Sequence, residues 1–540
     1  MHSDGFIDRS ASDLYSIYAS AGYHHDMTNI RLIYMLGDEL TQQAWNGVPE
    51  QYVFTNENRN YNSAGTEKSI TDPHDNEVDD YLQQHFQLHF DQSLTPFARW
   101  TNTLHYTSGK GFFEQYKSDQ NLVDYGIDSV PMISDLIRQR WLDNDYYGFM
   151  STLQIGRPMQ RYLVFGGGWS RYNGEHFGNV IWGEHEGSYF TPVNYYLNEA
   201  VKQDWNIFGR SNLKITESLH TIIDLQGRWI KYSFEGPDEN GNLQDQEVRH
   251  RFFNPKLGLH YTLTDQHSFY ALTGLISKEP NRDDYVNSTA LSRPSPERLW
   301  DTEIGWRYSA KNLQASITGY HMAYDDQLVL TGQINDVGAY TRVNVDKSFR
   351  TGLEGTVTIQ PLTSLRINGN ITLSQNKIDR FDEYIDNWST GEQEIVSHEK
   401  TNIAFSPGTI AGLHATYYFF EKSEHEFSIN IGGKYISQQY VDNTSRDASL
   451  LDAYSVADAG LAWKWNSLWA NEFTVRFFVK NLFNHQYESN GWIYRFRSDN
   501  NPVPDDPYAG VEAQGENLYH QKGYFPQAGR HMFLQLSLTF

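Results

Sequence analysis

The chain has 540 residues, of which 15% are aromatic, although the hydrophobic fraction is only 39% and the mean hydropathy is -0.63. It contains no Cys, which excludes disulfides, thiolate metal sites and cysteine nucleophiles. The formal net charge of -24 argues against a nucleic-acid partner, because phosphate binding needs clustered Lys and Arg.

This composition favours one large β-structure over several domains. No apolar run reaches the ~18 residues that a membrane-spanning helix needs, so the sequence excludes a helical span. A transmembrane β-barrel is compatible with it, because only alternate residues of each strand face lipid and the mean hydropathy therefore stays low.

The first predicted strand runs from Leu14 to His24 and has an aromatic residue near each end. Tyr15 and Tyr23 lie on one face and are about 26 Å apart at the usual rise of a strand. This spacing matches the ~25 Å apolar band between the two aromatic girdles of a membrane barrel.

Segments with alternating apolar and polar residues continue to the C-terminus and predict about 19 strands in all. After the first come Ile30–Gly37, Tyr81–Phe90, Phe97–Tyr106, Tyr146–Ile155, Tyr162–Arg171, Tyr195–Phe208, Leu219–Phe234, Phe253–Leu263, Ser268–Ser277, Trp300–Tyr308, Leu313–Tyr324, a hairpin within Ser348–Asn376, Thr409–Phe419, Phe427–Tyr440, Tyr454–Trp465, Phe473–Phe483 and Arg530–Phe540.

The hairpin within Ser348–Asn376 shows the alternation most clearly. A turn at Pro361–Thr363 separates two long strands, in which mostly apolar odd positions alternate with polar even positions. We interpret the apolar face as facing lipid and the polar face as facing a water-filled lumen, since successive side chains of a strand point to opposite faces.

Short and long connections alternate along the chain, as the periplasmic turns and extracellular loops of outer-membrane barrels do. This rule places the C-terminus in the periplasm and the N-terminus outside the cell. Because an exported barrel does not begin outside, we expect an odd number of strands upstream, and three if the complete barrel has about 22. Met1 to Asp4 lacks the features of a secretory signal, so the start is interpreted as a truncation.

Several stretches, in this order along the chain, resemble the barrel of TonB-dependent receptors, in particular the iron-complex receptors of Bacteroidetes. They are TQQAWNGVP at Thr41–Pro49, LHYTSGKGFFE at Leu104–Glu114, GGGW at Gly166–Trp169, NGEHFG at Asn173–Gly178, KEPNR at Lys278–Arg282, VKNLFN at Val479–Asn484 and the terminal Phe540.

The resemblance implies an all-β fold, a transmembrane antiparallel β-barrel occupying residues 1–540, with about 19 of about 22 strands present. It also implies a transporter of the cell outer membrane and not an enzyme. Extracellular loops capture an iron chelate such as a ferric siderophore, a plug domain closes the lumen, and TonB supplies the energy. Neither a plug nor a TonB-contact segment is recognised in the sequence. The expected partners are therefore TonB through a missing plug, the nutrient, and outer-membrane lipid with lipopolysaccharide.

Aromatic and cationic residues in predicted long loops are the candidates for substrate binding, because they suit catechol, hydroxamate or carboxylate chelates. The alternative is that they are girdle residues or aromatics that pack within loops. The candidates are Trp169, Tyr172, His176 and Trp182 in one loop, Arg282 and Tyr285 in a second, and Tyr340 and Arg342 in a third.

Arg350, Glu354 and Arg366 fall on the polar face of the central hairpin and are candidates for plug contact. A simple salt bridge on the lumen wall is the alternative. No cofactor and no metal site is predicted, since His85 and His89 would be ~13 Å apart on a strand.

Three other functions remain open from the sequence. One is a passive porin or adhesin, and a second is a receptor of the same family for haem, cobalamin or another nutrient. The third is a soluble β-propeller or sandwich with carbohydrate-binding or enzymatic activity, but no repeat of ~40–50 residues is present.

Overall fold

A computed structural model describes residues 1–55, 57–128, 132–157, 161–184, 191–239, 241–243, 245–286, 288, 293–334, 340–422, 424–465, 472–512 and 517–539. This part of the chain is almost entirely β-structure. Among these residues no helix is long and apolar enough to cross a membrane. The predicted terminal aromatic, Phe540, lies outside the described residues.

Period-two segments form strands because alternate side chains can then face two different environments. The strands are β1 (His2–Ser3), β2 (Ser12–His25), β3 (Thr28–Gln42), β4 (Val48–Pro49), β5 (Val78–Thr95), β6 (Ala98–Asn121), β7 (Ile133–Arg157), β8 (Arg161–Gly183), β9 (Val193–Lys214), β10 (Leu219–Glu235), β11 (Gln246–Thr262), β12 (His267–Lys278), β13 (Glu297–Ala310), β14 (Leu313–Ile334), β15 (Tyr340–Leu362), β16 (Leu365–Asn387), β17 (Gln393–Asn402), β18 (Thr409–Lys422), β19 (His425–Ile436), β20 (Gln439–Tyr440), β21 (Leu450–Leu451), β22 (Tyr454–Trp465), β23 (Glu472–Lys480), β24 (Glu488–Arg497), β25 (Ala509–Val511), β26 (Leu518–Pro526) and β27 (His531–Thr539). The helices are α1 (Glu50–Val53) and α2 (Arg282–Val286), with 3-10 turns at Leu122–Tyr125 and Asp447–Ser449.

The chain forms two compact units. The first consists of Met1–Asn46, Asn60–Lys214 and Thr221–Leu257. In it β2, β3, β5, β6, β7, β8 and β9 pair antiparallel in chain order. Short links therefore lie at one end of these strands and long connections at the other.

The second unit consists of Gly47–Arg59, Ile215–His220 and Gly258–Phe540. Here β12 to β16 pair antiparallel in chain order. The ladder continues from β16 to β18, β19, β22, β23 and β27. The long connections of this unit again share one end of the strands.

Every predicted strand overlaps a strand of the structure. Short and long connections alternate as predicted except between β14 and β15, which are joined by residues 335–339 alone. Many strands extend well beyond the predicted bounds at the long-connection end. The segment 133–157 is one strand, for example, although the prediction began it at Tyr146. The prediction also missed β24, β25 and β26, which lie in the long connection between the last two predicted strands.

The central hairpin has the predicted two faces. Leu353 and Leu373 are directly opposite each other on the apolar face and are 57% and 48% exposed. On the polar face the hydroxyl of Thr358 donates to Asn368 Oδ1 over 3.0 Å. A row of exposed apolar side chains on a regular strand indicates a surface that is covered by something other than water.

Candidate functional site

The long connection between β23 and β27 is itself a folded element. Within it β24 pairs with β26, and β26 pairs with β25 and with β4, which comes from the segment Gly47–Arg59. We call β24, β25 and β26 the loop sheet, and β4 pairs with its edge. The end of β24 also runs parallel to the end of β16. The loop sheet is therefore attached to β16, a strand of the antiparallel ladder of the second unit, and is not a free loop.

The guanidinium of Arg495 in β24 is the centre of a buried ion cluster. Its Nε donates to Glu512 Oε1 over 2.7 Å, and its Nη1 donates to Glu383 Oε1 over 2.9 Å and to Asp442 Oδ2 over 2.5 Å. Its Nη2 donates to Ser449 Oγ over 2.5 Å. Arg495 is 4% exposed. A fork of fixed donors can hold several acceptors at once, which suits arginine to this position.

The cluster joins parts of the chain that are far apart in sequence. Glu383 lies in β16, Asp442 lies in the connection between β19 and β22, and Glu512 follows β25. His398 Nε2 in β17 lies 2.8 Å from Glu383 Oε2. Three separate segments of the second unit are thus held around one cation, and β17 joins them through Glu383.

The charges around Glu512 and Asp442 favour the ionised form of these two carboxyls although both are buried. Burial alone raises the pKa of Glu512, but the hydrogen bond from His520 and the charge of Arg495 outweigh it and lower that pKa to about 2. Burial likewise opposes ionisation of Asp442, and the charge of Arg495 overcomes it, so that its pKa is lowered. The pKa of Arg495 is raised, since the charges of Asp442, Glu383 and Glu512 outweigh its desolvation.

Acid is expected to loosen the loop sheet. A carboxyl whose pKa is lower in the folded state stabilises it above its unfolded pKa, and this stability is lost as the pH falls through the folded value. For Glu512 this window lies between 4.5 and about 2. Hydrogen exchange of β24 and β26, corrected for the intrinsic rate at each pH, should show protection falling below pH ~4.5. The Glu512→Gln variant should show a smaller fall, and a rise in protection on acidification is the result that contradicts this prediction.

The predicted residues Arg282, Tyr285 and Arg342 are brought together in the second unit. Arg342 in β15 pairs with Asp284 of α2, with 3.4 Å between Nη1 and Oδ1. Arg342 is 36% exposed, whereas the side chain of Arg282 is 14% exposed. Tyr285 is 2% exposed, and burial raises its pKa to about 12. Arg342 is therefore the solvent-accessible residue of this group, and Tyr285 is buried.

Tyr340 lies at the start of β15 and binds the loop sheet. Its hydroxyl lies 2.9 Å from Asn490 Oδ1 and 2.8 Å from the carbonyl of Gly491, and its ring packs edge-on against Phe405 at 5.7 Å. Burial raises its pKa to about 12. These contacts agree with the alternative stated for the aromatic candidates, namely packing within the loops.

The prediction that residues 169–182 form a loop is wrong, because all of them lie in strand β8. Trp169 is opposite Phe149 and Trp205, which are 41% and 51% exposed. It shares the apolar face with Phe165, since the two positions differ by an even number. Trp169 thus occupies the position of a girdle aromatic.

Tyr172 and His176 lie on the other face of β8, because they are an odd number of residues from Trp169. The ring of Tyr172 lies over Gly174, where an added Cβ would come within 2.2 Å of the tyrosine oxygen. Trp182 lies at the end of the strand, with its ring 6.2 Å from that of Tyr116. The four aromatic candidates of this segment therefore divide between two faces and do not form one site.

Arg350, Glu354 and Arg366 lie on the polar face of the hairpin, as predicted. Arg350 Nη1 donates to Ser406 Oγ over 2.7 Å. Glu354 and Arg366 are exposed, and none of the three pairs with another of them among the ion pairs of the described residues.

A groove with a volume of about 680 Å³ lies on the same polar face, across β18, β19, β22 and β23. Lys434 Nζ lies 5.6 Å from the ring centre of Tyr454, and Lys480 Nζ pairs with Asp458 Oδ2 at 2.6 Å. His414 also lines it. The groove thus presents cations, a carboxylate and an aromatic ring to any group that binds there.

Sequence reasoning missed Arg495 and its cluster. The alternation in Trp492–Arg497 is a strand signal that the long-loop interpretation passed over. The sequence around the partners of Arg495 does not predict the ion cluster, because these residues lie more than 50 residues away or in irregular segments.

The family described as TonB dependent receptor-like, beta-barrel, matches residues 18–482. No curated protein sequence matches the chain.

Solved structures share the fold at low sequence identity. The ferric-catecholate import receptor Fiu of E. coli K12 in its closed form is 14% identical, with a TM-score of 0.65 over 98% of this chain and 75% of that one. The siderophore receptor PiuA of Acinetobacter baumannii is 13% identical, with a TM-score of 0.69 over 98% of this chain and 74% of that one. The copper transporter OprC is 14% identical, with a TM-score of 0.69 over 99% of this chain and 73% of that one.

Proposed function

The chain belongs to the TonB-dependent receptor β-barrel family, and from this membership we propose that it takes up a ferric siderophore-like chelate across the outer membrane of a Gram-negative bacterium. The family match over residues 18–482 is the observation that carries the proposal. Two of the solved structures named above are a ferric-catecholate import receptor and a siderophore receptor. The rows of exposed apolar side chains on regular strands support the membrane location.

In the second unit, the substrate is proposed to bind at the long-connection end of the strands. Arg342 supplies an accessible guanidinium for the anionic donor groups of a chelate, and Arg282 and Tyr285 fix the α2 segment beside it. Tyr340 supports this region through the loop sheet. In the first unit Tyr172, His176 and Trp182 are the proposed contacts, while the position of Trp169 favours a girdle role.

The polar face is proposed to meet a plug domain. Arg350, Glu354 and Arg366 would then form wetted contacts that separate during transport. Exposed ion pairs contribute only ~0–1 kcal/mol each, so such contacts can break without a large cost.

Transport of radiolabelled iron chelates into cells that express the full-length gene tests the function. Iron-starved cells should accumulate a ferric catecholate or ferric citrate only when TonB is present. Accumulation without TonB, together with a persistently open single-channel conductance, would support the passive porin instead. TonB-dependent uptake of haem, cobalamin or copper but of no iron chelate would keep the receptor and change its substrate.

Replacing Arg342 with Gln is expected to weaken chelate binding by about tenfold, the effect of one lost charge-assisted hydrogen bond. Tryptophan fluorescence of the purified protein in detergent measures the binding. Arg380→Gln is the matched control, since Arg380 is an exposed arginine paired with Asp382 in β16. Equal affinities for the two variants contradict the assignment of Arg342.

A further inference from the structure

Residues 47–59 form a strap that docks on the loop sheet inside the second unit. Besides the pairing of β4 with β26, Arg59 Nη1 lies 2.5 Å from Glu488 Oε1, and the hydroxyl of Tyr508 donates to the carbonyl of Gly47 over 3.0 Å. Gly47 has φ +65, and an added Cβ would lie 2.6 Å from the carbonyl oxygen of Tyr524. The strap is thus closely fitted to β26.

The imidazole of His520 in β26 lies between a carboxylate of the strap and a carboxylate of the loop sheet. Its Nε2 is 2.9 Å from Glu50 Oε2, and its Nδ1 is 3.2 Å from Glu512 Oε1. His520 is 4% exposed. Because a neutral imidazole has one N–H and a carboxylate can only accept, both contacts are hydrogen bonds only when the ring is protonated.

Charged groups from α1, from β26 and from the segment after β25 surround the ring. From α1 comes Glu50, which also lies 3.6 Å from Lys522 Nζ and accepts from the hydroxyl of Tyr524 at 3.3 Å. Both of these groups are on β26, as His520 is. From the segment after β25 comes Glu512, which also accepts from Arg495 of β24. Glu50 thus has Lys522 as a second cationic partner, and Glu512 has Arg495.

We propose that His520 is a proton-controlled latch, which holds the strap on the loop sheet when it is protonated and weakens this contact when it loses the proton. After deprotonation one ring nitrogen faces a carboxylate oxygen with no proton between them, and two acceptors repel. Burial by itself lowers the pKa of His520, but the hydrogen bonds to Glu50 and Glu512 outweigh it, and the pKa is raised above 6.5. The contribution is therefore complete below pH 6.5 and is lost as the pH rises through the raised value.

A single introduced thiol can report on the strap, because the chain has no Cys. Val53 of the strap is 0% exposed, whereas Thr55 is exposed. The measured quantity is the ratio of two alkylation rates in detergent micelles, that of Val53→Cys divided by that of Thr55→Cys. This ratio cancels the ordinary increase of the thiolate fraction with pH. We expect this ratio to rise about tenfold or more between pH 6 and pH 9, as one charged hydrogen bond is lost.

Two variants separate a latch from a merely structural contact. Glu50→Gln can donate to a neutral ring, so the rise should move to lower pH or disappear. Glu488→Gln removes the partner of Arg59 and should raise the ratio at every pH while leaving the midpoint in place. A ratio that stays flat with pH, or a midpoint that Glu50→Gln leaves unchanged, overturns the proposal. If Val53→Cys does not fold, hydrogen exchange of residues 47–59 in the unaltered chain supplies the same test.

Discussion

Replacing Arg495 with Met is expected to release the loop sheet from the rest of the second unit. The change leaves Glu383, Asp442 and Glu512 buried around an uncharged side chain. Removing one partner of a buried ion pair typically costs 3–5 kcal/mol, because the remaining charge is left uncompensated. We therefore expect a local loss of about this size in the stability of the segments that the cluster joins.

Hydrogen exchange of β24, β26 and the connection between β19 and β22 measures this loss. Arg497→Met is the matched control, since Arg497 lies in the same strand and pairs with Glu394 near the surface at 2.6 Å. A pair of that kind is worth ~0–1 kcal/mol, so the control should alter exchange little. If both variants exchange alike, Arg495 is not the centre of the cluster.

Replacing Ile371 with Arg is expected to destabilise the membrane-inserted protein by ~2–4 kcal/mol, the cost of a cation on the lipid face near the bilayer centre. Ile371 is 45% exposed and lies opposite Gly355 and Ala411. Its diagonal neighbours Leu353 and Leu413 are also exposed on the apolar face. The variant is destabilised because a guanidinium in hydrocarbon loses its hydration without gaining a partner.

The neighbouring variant Asn370→Arg is the control, because Asn370 lies on the polar face that borders the groove. It should cost far less, since the new charge stays in water. Urea titration of the protein in lipid vesicles, followed by its heat-modifiable mobility in gels, compares the two. Equal costs at both positions would mean that the two faces have been assigned wrongly.

The strands were predictable because their signal is local. In the central hairpin, alternation of apolar and polar residues identifies both strands and both faces, and the register of Leu353 with Leu373 follows from the short turn. The lengths of the connections then assign the two ends of the strands. Each of these inferences needs only neighbours in sequence.

The location of the candidate residues was predicted less well. The candidates up to Trp182 were expected in a loop because the predicted strand ended at Arg171, yet the segment continues β8 through backbone pairing with β7 and β9. Pairing with two neighbours stabilises a strand whose own residues signal it weakly.

By itself, then, the amino-acid sequence determined the strands, their faces, the order of short and long connections and the family. Only the tertiary structure decided which charges meet. Glu50, Glu383, Asp442, Arg495, Glu512 and His520 come from distant segments, and nothing in the local sequence of any one of them indicates the others. The physical reason is that a period-two pattern records which side of a strand meets water, whereas a buried ion cluster depends on long-range folding that brings separate segments together.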